Sequence, residues 1–154
     1  KPNAEVELYH DGTERAATVS NGFTIKGNLF VARENGTTAD YANMKVAFYQ
    51  QISASASHTF QVGSVYAMGT VTIHGSRGPG ANNATVATGK IYPIHVRAGA
   101  TAGLGSQIGS DLGGASGGYS YSVAAASQGI TVTNSSSTYA MKCFVTFDLT
   151  GFVG

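Results

Sequence analysis

Residues 139–150, YAMKCFVTFDLT, alternate along their length. Tyr139, Met141, Cys143, Val145, Phe147 and Leu149 fall on one face, and Ala140, Lys142, Thr146 and Asp148 on the other. A period of two is that of an extended strand with one face in a core and the other toward solvent. Phe144 breaks the pattern, an apolar ring on the polar face, and is a candidate subunit contact. The same alternation recurs upstream, where Val71 and Ile73 are interleaved with Thr70, Thr72 and His74, and Ile130 and Val132 with Thr131 and Thr133. Further β-forming runs cover residues 44–50, 57–62, 68–74, 86–97, 119–124 and 129–133, with turn residues between them. Helical periodicity is nearly absent. About seven or eight such strands predict an all-β fold, a jelly-roll-like antiparallel β-sandwich in preference to an immunoglobulin-like one. Pro93 cannot donate to a ladder, so its run predicts an edge strand or a bulge. Residues 99–118 read as a Gly-rich loop, long enough to be functional or mobile.

Ahead of these runs lies a different pattern. Val6-Glu7-Leu8-Tyr9-His10 is followed by Asp11-Gly12, residues 15–19 by Asn21-Gly22, and Phe23-Thr24-Ile25 by Gly27-Asn28. Asp-Gly and Asn-Gly between β-forming runs are strong hairpin signals, because both central residues of a type I′ turn need positive φ. Strands this short make a sheet that is marginal alone. Its apolar residues need cover, from the following domain or from sister chains. Residues 33–43, polar and with an Asn35-Gly36 turn, read as a linker or docking segment. The expected division is therefore a β-meander at residues 1–43 and a β-sandwich at residues 44–154. The start at Lys1-Pro2-Asn3, without methionine, leads to the expectation of a fragment of a longer polypeptide.

Composition narrows the function classes. Charged residues are 11% of the 154, less than half of the roughly 25% usual in globular proteins. With 42% hydrophobic residues and a net charge of +1, the chain does not have a disordered composition. Its polar surface must come from Ser, Thr, Asn, Gln and Gly, which suits extracellular or virion proteins packed against copies of themselves. The nine basic residues are scattered, so nucleic-acid binding is disfavoured. No apolar run approaches the roughly eighteen residues that cross a membrane, and no signal-peptide pattern is present. Cys143, the single cysteine, has no internal disulfide partner and reads as a small core hydrophobe.

The opening pattern resembles a motif of tail-fibre and other structural proteins of phages, especially marine and cyanobacterial ones. The positions that carry the resemblance are Val6, Glu7, Leu8, Tyr9, Asp11, Gly12, Arg15, Thr18, Gly22, Phe23, Ile25, Gly27, Leu29 and Val31. They depart from the motif at His10, where a second aromatic is common, and at Ala16-Ala17, where a longer side chain often sits. The rest of the chain is similar in texture to the β-sandwich tip domains that follow such elements. The resemblance implies an interleaved three-chain shaft ending in a knob, hence a parallel homotrimer. It also implies attachment to a host surface glycan or outer-membrane protein, with other virion proteins bound on the N-terminal side.

Catalytic and metal chemistry finds little support in the sequence. A polysaccharide-cleaving tailspike needs two carboxylates flanking the scissile bond. The eight acids are Glu5, Glu7, Asp11, Glu14, Glu34, Asp40, Asp111 and Asp148, and only the last two fall in the sandwich region. His10, His58, His74 and His95 are isolated, without metal-ligand spacing. No nucleophile elbow or phosphate loop is present. Asn35-Gly36-Thr37, Asn83-Ala84-Thr85 and Asn134-Ser135-Ser136 match the glycosylation sequon, as a chain rich in these residues does by chance. No cofactor and no metal are expected. The expected function is non-enzymatic attachment of a phage tail-fibre or appendage tip, with Arg77, Asn82, Asn83, Gln107 and Tyr119 as candidate receptor contacts. The rival readings are a structural virion protein without receptor binding, a pilus or adhesin subunit, and a depolymerase.

Overall fold

The computed structural model describes residues 7–19, 22–25, 29–33, 41–63, 65–77, 87–113 and 120–153. They form an all-β structure of three antiparallel sheets. The first contains β1 (Glu7–His10), β2 (Thr13–Val19) and β3 (Gly22–Ile25) in that order. Asp11 and Gly12 link β1 to β2 with φ of 52° and 70°, the left-handed pair that a two-residue hairpin turn requires. In the second hairpin Val19 pairs with Gly22. Gly22 therefore belongs to the strand, not the turn, and the two linking residues lie outside the described residues, as does the Asn35-Gly36 turn.

The sandwich is built from the other two sheets. The larger holds β4 (Leu29–Arg33), β5 (Tyr41–Ile52), β7 (Val65–Arg77), β8 (Thr88–Val96) and β13 (Met141–Val153). Two short pieces, β9 (Gly103–Leu104) and β10 (Leu112–Gly113), flank β8, and the strand order is β10-β8-β7-β13-β5-β4. The smaller sheet runs β11 (Tyr121–Ala126), β12 (Gly129–Asn134), β6 (Ser57–Gln61). The chain crosses between the two sheets at each step from β5 to β7, again before β11, and finally from β12 to β13. β13, last in sequence, lies in the middle: it pairs with β5 from Met141 to Phe152 and with β7 from Met141 to Val153.

Alternation sets which side chains are buried. On β13, Met141, Cys143, Val145, Phe147 and Leu149 are at most 1% exposed, whereas Phe144 is 51% exposed. Val71 and Ile73 of β7 and Ile130 and Val132 of β12 belong to the same core, with Val46 and Ile52 of β5 and Phe60 of β6. Phe48 meets Phe60 and Phe147 at ring-centroid distances of 5.9 and 6.0 Å, joining the two sheets. Tyr121 ties them at the other side. Its hydroxyl donates to the carbonyls of Ile73 (3.0 Å) and Thr88 (3.1 Å), between β7 and β8. Gly75 makes that possible, since a Cβ there would stand 2.7 Å from the Tyr121 ring.

Several sequence expectations are corrected by the pairing. Leu29–Arg33, read as part of the meander, is hydrogen-bonded to β5 as an edge strand of the large sheet, and the division expected between residues 43 and 44 falls within β5. Tyr139, read as the first core residue of the last run, precedes β13 and is 45% exposed. Residues 99–118 were read as one loop, yet they contain β9 and β10. The Gly105 N–H donates to the Pro93 carbonyl at 2.9 Å, so the ring nitrogen of Pro93 faces the same, outer side of β8. Beyond it lie only two-residue strands and loop, which is how a proline is accommodated here.

Candidate functional site

Of the candidate contact residues, Asn82, Asn83 and Tyr119 lie outside the described residues. Arg77 and Gln107 are well placed and far apart. Arg77 ends β7 beside Met141, whereas Gln107 folds over the β8 backbone near Ile91. They do not make one site.

Gln107 is the centre of a polar chain that pins the Gly-rich segment to the sandwich. The Tyr92 hydroxyl donates to Gln107 Oε1 (3.3 Å), and Gln107 Nε2 donates to Asp111 Oδ1 (2.8 Å) and to the Gly109 carbonyl (3.3 Å). Asp111 Oδ2 lies 3.7 Å from Lys90 Nζ, which donates to the Tyr121 carbonyl at 3.2 Å and sits 4.9 Å from the Tyr121 ring centroid. β8, the Gly-rich segment and β11 are thereby joined through side chains. Burial, then the negative charge of Asp111, raises the Tyr92 phenol above its usual range. Sequence reading found Gln107 and missed Lys90, Tyr92 and Asp111. Tyr92 is fifteen residues from Gln107, and Lys90 is farther still from Asp111, so these partners become visible only once the segment folds back along β8.

The Arg77 guanidinium carbon stands 3.4 Å from the centroid of the Tyr139 ring. This is a cation–π stack that fixes the half-buried guanidinium over the ring. Arg77 is therefore an oriented cation in place of a freely moving one.

A third feature is the outer face of the large sheet, the side away from the core. Paired residues in an antiparallel sheet share a face, so the pairings place Tyr49, Phe144 and His74 side by side on β5, β13 and β7. The rings of Tyr49 and Phe144 meet at 4.7 Å and are about half exposed. His74 continues the row over Gly89, where Leu112 follows. Two rows, one uncharged with Thr72 and Thr146 and one holding the Lys45–Asp148 pair, separate this band from a second. There Met68, 66% exposed, pairs with His95 and Thr150. A shallow depression of about 560 Å³ opens beside Met68, lined also by Pro93, His95 and Leu104.

The two acids of the sandwich, Asp111 and Asp148, lie on different faces of the large sheet. Asp148 projects from the outer face beside Lys45 and Thr70, whereas Asp111 is tied to Lys90 on the inner side of β8. Among the described residues no cluster of three His, Cys, Asp or Glu side chains has the arrangement to hold a metal ion. Cys143 is buried in the core, and burial pushes its thiol up to about 12. Asn134 is 0% exposed. Its Nδ2 donates to the carbonyls of Ile52, Ser53 and Tyr139, which removes that sequon from use in the folded chain.

No protein-family profile, curated protein or solved structure matches this chain.

Proposed function

We propose that this chain is the distal part of a phage tail fibre or similar virion appendage, a homotrimer whose β-sandwich attaches to the host cell surface without catalysis. The observation that carries the reading is at the N-terminal sheet. Its strands are four, seven and four residues long, and Leu8 and Tyr9 are 54% and 59% exposed in a single copy. Apolar side chains left open on so small a sheet call for cover, and the motif they belong to resembles that of interleaved fibre shafts. The sandwich adds a low-charge surface, an oriented Arg77 and a clasped loop at Gln107. Attachment would work by avidity: three copies of a weak contact bind about two to four orders of magnitude more tightly than one.

The test has two stages. Light scattering of the purified chain should give three times the mass of one chain; a single-chain mass overturns the trimer. The purified protein should then adhere to host cells and compete with virus adsorption. An assembled trimer that does neither overturns receptor binding and leaves a structural virion protein as the reading.

A further inference from the structure

The inner face of the large sheet is covered by the small sheet; among the described residues no strand covers the outer face, where Tyr49, Met68 and Phe144 are exposed. We propose that this outer face, along residues 142–152 of β13 and the strands beside it, with the Tyr49–Phe144 pair and Met68 within it, is where copies of this chain pack on one another; the inference deepens the homotrimer reading and rests on it.

Size is the first argument. β5, β13, β7 and β8 run side by side, and rows 142 to 152 of β13 are paired on both flanks. At about 4.8 Å per strand and about 3.4 Å per residue this is a surface of about 19 by 37 Å, or about 700 Å². A stable protein–protein interface takes about 800 Å² from each partner.

Chemistry is the second. Tyr49, Phe144 and Met68 are residue types that interface centres favour over ordinary surface, and all three are more than half exposed here. Between the two bands the face carries one cation and one anion, Lys45 and Asp148, paired across adjacent strands. Their charges cancel. A face of one sign would repel an identical copy, whereas this one has no net charge at its centre. Thr70, Thr72, Thr146 and Thr150 fill the remaining central positions of β7 and β13. A hydroxyl both donates and accepts, so hydroxyls satisfy one another across a contact between like surfaces. Lys142, beside Gln51 and Ser76 at the margin of these rows, is the one further full charge on this face of β5, β13, β7 and β8, so a strongly acidic or basic partner would find no matching field, which makes a second copy the occupant.

The three methionines supply the experiment. Met68 is 66% exposed in a single copy, while Met44 and Met141 are 3% and 0% exposed and report on folding. The full-length chain is treated with dilute hydrogen peroxide, and sulfoxide formation at each methionine is followed by mass spectrometry, with the mass of the assembly measured in parallel. The expected result is that Met68 in the wild-type assembly oxidises at least tenfold more slowly than in Phe144→Asp, with Met44 and Met141 slow in both. If Phe144→Asp also exposes Met44 and Met141, it has unfolded, and Thr72→Arg, at an exposed central position, replaces it. A wild-type trimer in which Met68 oxidises as fast as in the folded variant overturns this interface and leaves the trimer held by the N-terminal sheet. Protection that survives both substitutions also overturns it. A single-chain mass overturns the trimer reading itself.

Discussion

Asn134 closes one end of the sandwich, and its replacement tests how the two sheets are joined. Nδ2 donates to the carbonyls of Ile52 (3.2 Å), Ser53 (3.0 Å) and Tyr139 (2.9 Å), and Oδ1 accepts from the Ser136 N–H (3.0 Å). One side chain thus holds the β5–β6 turn and the β12–β13 connection against the end of β12. Asn134→Ala removes all four bonds. Each is worth about 1 kcal/mol net. Three of the four are only part-buried, so water recovers some of the loss. The expected destabilisation is about 2–4 kcal/mol, a large part of the roughly 5–15 kcal/mol that holds a domain folded. In urea this lowers the midpoint by about 1–2 M with the slope unchanged. Asn134→Asp keeps the shape but puts a carboxylate against three carbonyl oxygens, and with burial this raises its folded pKa above the unfolded value of about 3.9. A raised folded pKa retains stability below the unfolded value and loses it as pH rises through the folded one. The deficit of Asn134→Asp relative to wild type should therefore be larger at pH 7 than at pH 4. An Asn134→Ala destabilisation of less than about 0.5 kcal/mol, the range of an ordinary surface change, refutes the hub. So does a deficit of Asn134→Asp that is equal at both pH values.

Gly75→Ala should cost about 1–3 kcal/mol by overpacking, because the new methyl meets the Tyr121 ring at 2.7 Å and Met141 Sδ at 2.9 Å; thermal unfolding measures it, and an unchanged Tm rejects the close approach. Cys143, with its thiol raised from about 9 to about 12, should be inert to a thiol reagent until the chain unfolds. Its folded pKa exceeds the unfolded one, so its linked stability is complete below the unfolded value and is lost as pH rises from there toward 12; urea midpoints from pH 8 to 11 should fall, and a flat profile rejects the burial. Arg77→Ala should lower stability by no more than about 0.5–1 kcal/mol, the worth of an exposed cation–π stack, while weakening adhesion to host cells if the oriented guanidinium is a contact; a variant that adheres as wild type removes Arg77 from the site.

The strands of the sandwich were legible because burial leaves a period of two, and the exposure of Phe144 was legible as a break in that period. Their neighbours were not. Alternation in residues 141–149 says which side of β13 is buried but nothing about its insertion between β5 and β7, which depends on pairings about seventy and one hundred residues distant. Two-residue strands such as β9 and β10 are too short to carry a period, so the Gly-rich segment read as loop. Tyr139 continued the alternation on paper and left the core in the structure, because Ser136 and Asn134 bond the preceding backbone into a turn. The same dependence on register hid the candidate surfaces. Tyr49, Phe144 and His74 are ordinary strand residues in sequence and become a row only when three strands align.

Register also bears on the proposed contact between copies. A bare sheet edge offers unpaired N–H and C=O groups to any passing strand. On the β8 side that route is blocked, since Pro93 places a nitrogen without hydrogen toward the edge, and Gly105 and Ile108 already donate to the carbonyls of Pro93 and Ile91. The broad face is a different kind of surface, where backbone groups are spent within the sheet and only side chains project. Contacts there would be selective, because the two aromatic and thioether bands sit about three strand repeats apart with charges and hydroxyls fixed between them, and a shift of two residues along the strands would set the Met68 band against Lys45 and Asp148. An edge accepts almost any extended chain; this face discriminates by position. A low-charge surface gains from that distinction, since it lacks the repulsion that otherwise keeps copies apart.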